Sequence, residues 1–321
     1  MVAPITAREN YLRAVTFRNP DHIPYEDVVR NLFFIGDMMW MEQRGYDIWG
    51  VGWDYELKEY LPMVVDHPIK RPEDIDHFRP PEPVFQLTQA AVEFMKTEDL
   101  SSFVLSGFHP NILFERAWFL MGMEQFFELI MTDTARAKKL LHLIADFNVE
   151  IARQYIQQPI ECIFVGDDYG NQSALMMSPV LWRELIKPEL SRVLQVYRQA
   201  GKIIKFHSCG HITEIVEDLI EIGVNIIHPC QARANNLAEW GERFTGRVVF
   251  DGGVDTQYTM MMGTPDEIRA EARLRLQQLG RDPGGGLLLW ADQNMPFPDQ
   301  NRQALLDFVI QNGKYPLRLD P

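Results

Sequence analysis

One alternation constrains this chain more than any other feature. Short runs of β-branched and aliphatic residues recur between longer amphipathic stretches that suit a helix. That alternation predicts a parallel sheet with helices packed outside it. Eight runs read as strands, at residues 23–28, 46–50, 102–106, 161–166, 202–207, 225–228, 248–251 and 287–290. Eight strands with seven or eight helices is the count of a TIM (β/α)8 barrel, and an α/β barrel can hold 321 residues in one domain. The expectation is therefore a single domain over 1–321. The helices carry their own punctuation. Thr6 with Glu9 reads as a capping box that opens an N-terminal helix, and Asn19-Pro20-Asp21 stops it. Ser178 and Pro179 open a second helix that closes at Gly201, and Thr264-Pro265-Asp266-Glu267 opens a third that closes at Gly280. Residues 51–83, rich in Pro, Asp and Tyr, break the alternation and read as an excursion over the rim. Helical stretches at 111–122 and 123–132 add to that rim.

Composition narrows the function classes. A net charge of −14 argues against a nucleic-acid partner, because a phosphate backbone requires clustered Lys and Arg. Three cysteines, Cys162, Cys209 and Cys230, are too few and too odd for a disulfide framework. The N-terminal residues lack the pattern of a secretory leader, and no run of about 18 apolar residues occurs. The expectation is a cytoplasmic protein that does not cross a membrane.

In a TIM barrel the chemistry sits at the C-terminal ends of the strands, so residues just past each strand are the candidates. The fifth predicted strand ends Lys205-Phe206-His207-Ser208-Cys209-Gly210-His211. Residues two apart on an extended chain point the same way, so His207 and Cys209 face the mouth together. Imidazole plus thiolate is a zinc-type pair, which needs at least one more ligand. Cys230 after the sixth strand and Asp292 after the eighth are the candidates for it. The structural alternative is a small buried cysteine beside a hydrogen-bonded core histidine. His211 and His228 read as structural or rim residues. The fourth strand ends in Asp167, Asp168 and Tyr169, with Gln172 beyond. Adjacent carboxylates at a mouth are costly unless they bind something or move protons. Asp168 and Tyr169 are therefore candidate catalytic residues, and Asp167 and Gln172 candidate substrate contacts. The alternative is a loop-closing or helix-capping aspartate. The seventh strand ends Asp251-Gly252-Gly253, which reads either as a tight turn or as backbone drawn close to a ligand, with Asp251 and Gly252 as substrate contacts. The methionine clusters at 38–41, 176–177 and 260–262 suit an adaptable pocket or ordinary core packing.

Several of these stretches together resemble the uroporphyrinogen decarboxylase superfamily, which includes the cobalamin-dependent methyltransferases. The opening Arg8-Glu-Asn-Tyr-Leu-Arg-Ala14, Pro20-Asp-His-Ile-Pro24, the run Asp167 to Gln172 with Ser178 to Trp182, His207-Ser-Cys-Gly210, Gly252 to Gln257 and Gly263-Thr-Pro265 carry the likeness. The resemblance implies a TIM barrel. It separates two branches. In true decarboxylases an Arg-Gln-Ala-Gly-Arg segment follows the first strand, whereas here the place reads Tyr25-Glu-Asp-Val-Val-Arg-Asn31. Asp47 matches, loosely, the decarboxylase aspartate that faces the pyrrole nitrogens, and is carried as a catalytic candidate on that ground. The methyltransferase branch resembles this chain in its His-x-Cys pair, which there holds zinc with a later cysteine. The place of that later cysteine reads Trp290-Ala-Asp292-Gln-Asn294.

The resemblance implies a zinc-dependent methyltransferase that moves a methyl group between a small ether, alcohol or thiol substrate and a corrinoid. His207 and Cys209 would bind zinc, with Cys230 or Asp292 third. The chain has no Asp-x-His-x-x-Gly corrinoid motif, so a separate corrinoid protein would present the cobalamin. Phe114, Trp118, Phe119, Phe126 and Phe127 on the rim helices are candidates for its docking surface, with helix packing as the alternative. The other enzyme reading is a decarboxylase-like carboxy-lyase acting on a tetrapyrrole or smaller carboxylate. A non-catalytic binding barrel is the third. Eight-stranded barrels frequently dimerise, and the sequence leaves a homodimer open.

Overall fold

The structure is a computed structural model that describes residues 5–34, 45–54 and 62–318. Its frame is a parallel sheet of seven strands: β1 (Val29–Phe33), β5 (Val104–Pro110), β6 (Cys162–Gly166), β7 (Ile203–His207), β8 (Ile226–His228), β9 (Val249–Val254) and β10 (Leu287–Ala291), hydrogen-bonded in that order. Between β1 and β5 a separate antiparallel sheet forms from β2 (Gly45–Tyr46), β3 (Gly52–Asp54) and β4 (Met63–Asp66).

The seven-stranded sheet is curled. Helix α1 (Ala7–Val15) lies across the N-terminal ends of its strands. There Tyr11, Ala14 and Val15 form one apolar cluster with Val104, Cys162, Ile226, Val249 and Leu288, and Val29 and Ile203 pack against it. A nine-residue helix spans about 14 Å, and seven strands laid flat would span roughly twice that. Residues from the N-terminal ends of all seven strands share one cluster with this short helix, as a curled sheet allows. At the other end, Lys205 on β7 reaches past β8 to Asp251 on β9, with Nζ 2.6 Å from Oδ2. No ladder joins β1 to β10 among the described residues.

Two of the expected strands differ. Residues 23–28 do not form β1, which starts at Val29. Pro24 has no N–H to give a ladder, and the Glu26 carboxylate folds back onto His22 and the Tyr25 N–H. Residues 46–50 form no strand of the main sheet. Asp47 Oδ1 accepts from the N–H groups of Trp49 and Val51, both at 2.9 Å, and closes a turn. Accordingly β1 pairs directly with β5, Val29 against Val104. The other six expected strands lie within a few residues of their places.

The expected helices form with their caps. Thr6 accepts from the Glu9 N–H, although the Glu9 carboxylate accepts from Arg13 and does not complete the expected box, while Thr264 and Glu267 form a reciprocal capping box on Pro265–Leu279. The stretch opened by Ser178 holds one π turn, Trp182–Ile186, before Lys187–Gln199. Pro188 has no N–H for the Glu184 carbonyl, so the Lys187 N–H bonds Trp182 and the helical register slips there. The rim helices are α3 (Phe114–Met121) and α4 (Met123–Thr132), which follow α2 (Gln89–Thr97) and precede α5 (Thr134–Tyr155). On α3 and α4, Phe114, Phe119 and Phe126 are buried, while Trp118 and Phe127 are partly buried against the same core. These rings pack the rim, and Trp118 and Phe119 also line a cavity of about 420 Å³ with Trp53 and Met123. No helix among the described residues is long and apolar enough to cross a membrane.

Candidate metal centre

The lumen face of β7 is set by strand alternation. Ile204 and Phe206 are buried under the outer helices, while Lys205 and His207 point inward. Cys209 follows in the loop after the strand, and its N–H donates to Asp168 Oδ1 at 2.7 Å. Asp168 sits at the same level after β6. The result is a convergence of three ligand atoms, from Asp168, His207 and Cys209, all within 4.8 Å of one another. His207 Nε2 is 3.5 Å from both Cys209 Sγ and Asp168 Oδ1. With 24% of the His207 side chain and 33% of the Asp168 side chain exposed, the group is open to small molecules.

Backbone contact fixes this spacing. The loops after β6 and β7 touch at Gly170 and Gly210. A Cβ on Gly170 would lie 2.5 Å from the His211 N and O, and one on Gly210, at φ +83°, would run into the Gly170 carbonyl. The Gly170 N–H donates to the Cys209 carbonyl at 3.2 Å, and the His211 N–H to the Asn171 carbonyl at 2.7 Å.

The surroundings favour a neutral thiol at Cys209 and a neutral ring at His207. Burial, then the Asp168 carboxylate, pushes the Cys209 thiol well above its ordinary value. Burial also lowers the His207 imidazole, with Asp168 opposing and Lys205 assisting. Gln293 Nε2 donates to Cys209 Sγ at 3.3 Å and so aims the sulfur. Gln293 also lines a cleft of about 270 Å³ with Gln231, Met261, Asp292 and Met295. Of the methionine clusters, Met261 thus faces the cleft, and 38–41 lie outside the described residues.

The third donor differs from both expected ones. Cys230 is fully buried, its Sγ 3.5 Å from the Asp251 carbonyl, and it does not join the group. Asp292 does not join it either. Its Oδ1 accepts from Gly253 at 2.7 Å and Gln231 at 3.0 Å, and its Oδ2 from Ala232 at 3.4 Å. Burial holds Asp292 up at about 6, and the carboxyl ties its own loop to the loop after β8 and to β9. Gly252 makes room for it: at φ +107°, a Cβ there would lie 2.6 Å from Asp292 Oδ1.

The remaining candidates also find structural partners. Asp167 is fully buried and caps α3, accepting from Phe114 N at 2.8 Å and Glu115 N at 3.1 Å. The Tyr169 hydroxyl, buried in the core, donates to Asp167 at 3.0 Å. Asp47 does not join the ligand group and pairs with Arg116 at 2.8 Å, with side-chain exposures of 2% and 1%. Its other contacts are the turn N–H groups and Trp53 Nε1. Gln172 lies exposed on the rim against Gln257 and the Arg233 carbonyl. Asp251 faces the lumen, paired with Lys205.

Four residues of the site were not singled out from sequence for this role: Glu115, His228, Lys205 and Gln293. Glu115 follows β5 in the first turn of α3 and takes a hydrogen bond from Asn111 at 2.8 Å. Burial and the neighbouring Asp168 and Asp167 carboxylates raise its carboxyl well above the usual range, and the Asp168 N–H points at it. An acid one turn past a strand end was the available signal. Lys205 was legible as a residue two positions before His207, on the same face.

Comparisons with known proteins give the family and the fold. A family model described as Uroporphyrinogen decarboxylase (URO-D) matches residues 46–289. The Methylcobamide:CoM methyltransferase MtaA of Methanosarcina barkeri is 20% identical over 158 residues, covering 49% of this chain and 45% of that protein. A uroporphyrinogen decarboxylase of Burkholderia thailandensis is 26% identical over 180 residues, covering 54% of this chain and 48% of that protein. The chain thus spans about half the length of the curated relatives it matches. A solved structure of a methyltransferase from Methanosarcina mazei shares the fold, with a TM-score of 0.66 at 19% identity over 82% of this chain and 76% of that one.

Proposed function

The chain belongs to the uroporphyrinogen decarboxylase family, and within it we propose a zinc-dependent methyltransferase whose metal is held by Asp168, His207 and Cys209. The observation that carries this reading is the convergence of a thiol, an imidazole and a carboxylate within 4.8 Å at the C-terminal ends of β6 and β7. Sulfur, nitrogen and oxygen donors in that number suit a catalytic zinc site, which keeps a fourth position open. A bound zinc ion supplies Lewis acidity that favours the anion of a substrate thiol or hydroxyl. The chain's own groups do the rest. Gln293 holds the Cys209 sulfur in line. Asp168 fixes the Cys209 loop through its N–H. Glu115, raised by burial beside two carboxylates, is the carboxyl suited to hold a proton as substrate enters or leaves. Asp251 and Gln172 remain in the reading as contacts for the distal part of a small substrate. The methyl group would pass to or from a corrinoid carried by a separate protein. The reading takes residues 1–321 as one TIM-barrel domain acting in the cytoplasm.

Protein purified without a tag and titrated with zinc against a chromophoric chelator tests this. One zinc per chain is expected, with affinity lowered on the order of 100-fold or more by Asp168→Ala, His207→Ala or Cys209→Ala. Asp292→Asn and Cys230→Ala should leave binding intact. No zinc in the wild type, or full binding by His207→Ala, overturns the reading.

The carboxy-lyase reading is favoured by the decarboxylase relative. It needs cations for an anionic substrate, and among the described lumen residues Lys205 is already paired with Asp251. Conversion of uroporphyrinogen to coproporphyrinogen by the metal-free protein would establish it instead.

A further inference from the structure

Resting on the zinc site just proposed, we infer that His228 is a positioning residue that sets the tautomer of His207, so that His207 meets the metal through Nε2. The two histidines are register partners on the parallel strands β7 and β8 and therefore project to the same side. Their Nδ1 atoms are 2.9 Å apart. A neutral imidazole carries one N–H and one lone pair, so a hydrogen bond between two Nδ1 atoms requires one donor and one acceptor. Only two arrangements exist. If His228 donates, His207 carries its proton on Nε2, aimed at Cys209 and Asp168, and that nitrogen cannot bind a cation. If His207 donates, its Nε2 lone pair faces Cys209 Sγ and Asp168 Oδ1, each at 3.5 Å, and His228 keeps its own proton on Nε2. Metal binding selects the second arrangement.

His228 is held for this task. The Phe164 ring packs against both imidazoles, at 5.7 Å from His228 and 5.6 Å from His207. The Ser208 N–H donates to the His228 carbonyl at 2.9 Å, which ties the position of His228 to the segment between the two ligands. His228 does not enter the ligand group itself. Ligating histidines usually donate their second N–H to a carboxylate or carbonyl. Here the acceptor is a neutral ring. With one thiolate and one carboxylate as ligands, a divalent ion is then balanced in charge, and the supporting residue adds none.

Two variants and one spectrum decide it. His228→Phe fills the space without an acceptor, and His228→Gln offers an amide oxygen to His207 Nδ1. Zinc affinity by chelator competition should fall about 10- to 100-fold in His228→Phe and stay within about threefold of wild type in His228→Gln. Thermal melting should confirm that both variants are folded. In the zinc-loaded wild type, long-range 1H–15N correlation should show His207 protonated at Nδ1 and metal-bound at Nε2. Wild-type affinity in His228→Phe, or coordination through Nδ1, overturns the role of His228 while leaving the zinc site standing. Equal losses in both folded variants reduce it to packing and overturn it as well. A wild type that holds no zinc refutes the site beneath it.

Discussion

His109 offers a quantitative test of how the scaffold under the site is built. It lies on β5, fully buried, between helix α5 and the helix Lys187–Gln199. Asn148 Nδ2 donates to the carbonyls of Ile112 and Ile144 at 2.6 and 3.0 Å, so its Oδ1 is left to accept from His109 Nε2 at 2.7 Å. His109 Nδ1 then accepts from the Tyr197 hydroxyl at 2.8 Å. This network needs a neutral ring, and burial pushes the imidazole down to about 4 from 6.5. Between those values the unfolded chain binds a proton that the folded chain refuses. Stability from this residue is therefore fully present above pH 6.5 and is lost as pH falls toward 4. The gap corresponds to about 3 kcal/mol.

His109→Gln isolates it, because the amide can donate to Asn148 and accept from Tyr197 but cannot titrate. Urea unfolding of wild type and variant, followed by tryptophan fluorescence, should be run at pH 7, 6, 5 and 4. The advantage of wild type over variant should shrink by about 3 kcal/mol across that range. The difference matters more than either curve. Asp292, held up at about 6, binds its proton more tightly when folded, so its contribution falls as pH rises from 3.8 to 6 and offsets His109 in the wild type. A wild-type advantage that stays constant, or grows on acidification, would refute the neutral-ring account.

Two further outcomes follow from the same contacts. Asp47→Ala removes the carboxylate buried against Arg116 and should cost about 3–5 kcal/mol in chemical unfolding, while zinc stoichiometry stays unchanged. Gly210→Ala forces a side chain at a positive φ into the Gly170 backbone; zinc affinity should drop at least about tenfold in protein that remains folded by circular dichroism, and an unchanged affinity would mean the two loops are not coupled.

Much of this architecture was legible because parallel strands and capped helices carry local signals. The runs around Ile163 and Leu289 are apolar on both faces, those around Ile204 and Ile227 carry buried aliphatic residues between turn residues, and the structure makes strands of all four. The run at 46–50 misled because an aspartate side chain took the N–H groups a strand would have used. In the site, His207 and Cys209 were legible from their spacing and their place after a strand. Cys230 and Asp292 were placed correctly at strand ends, but burial and hydrogen bonding decide what such residues do, and neither is written in a one-dimensional spacing. Asp168 was read as a catalytic residue. Its nearness to the sulfur comes from the contact between two loops about forty residues apart. His228 could be recognised only from the β7–β8 register, which no pattern within either strand encodes.

The meeting of Gly170 and Gly210 has a wider consequence. Where two main chains abut with no side chains between them, neighbouring mutations have little leverage on the gap. If the proposed substrate enters this cleft, changes in the size and polarity of lining residues such as Met261 and Met295 would retune which molecule is accepted. On the proposed reading, the Asp168, His207 and Cys209 group would keep its dimensions throughout, so that selectivity could change without altering the metal site.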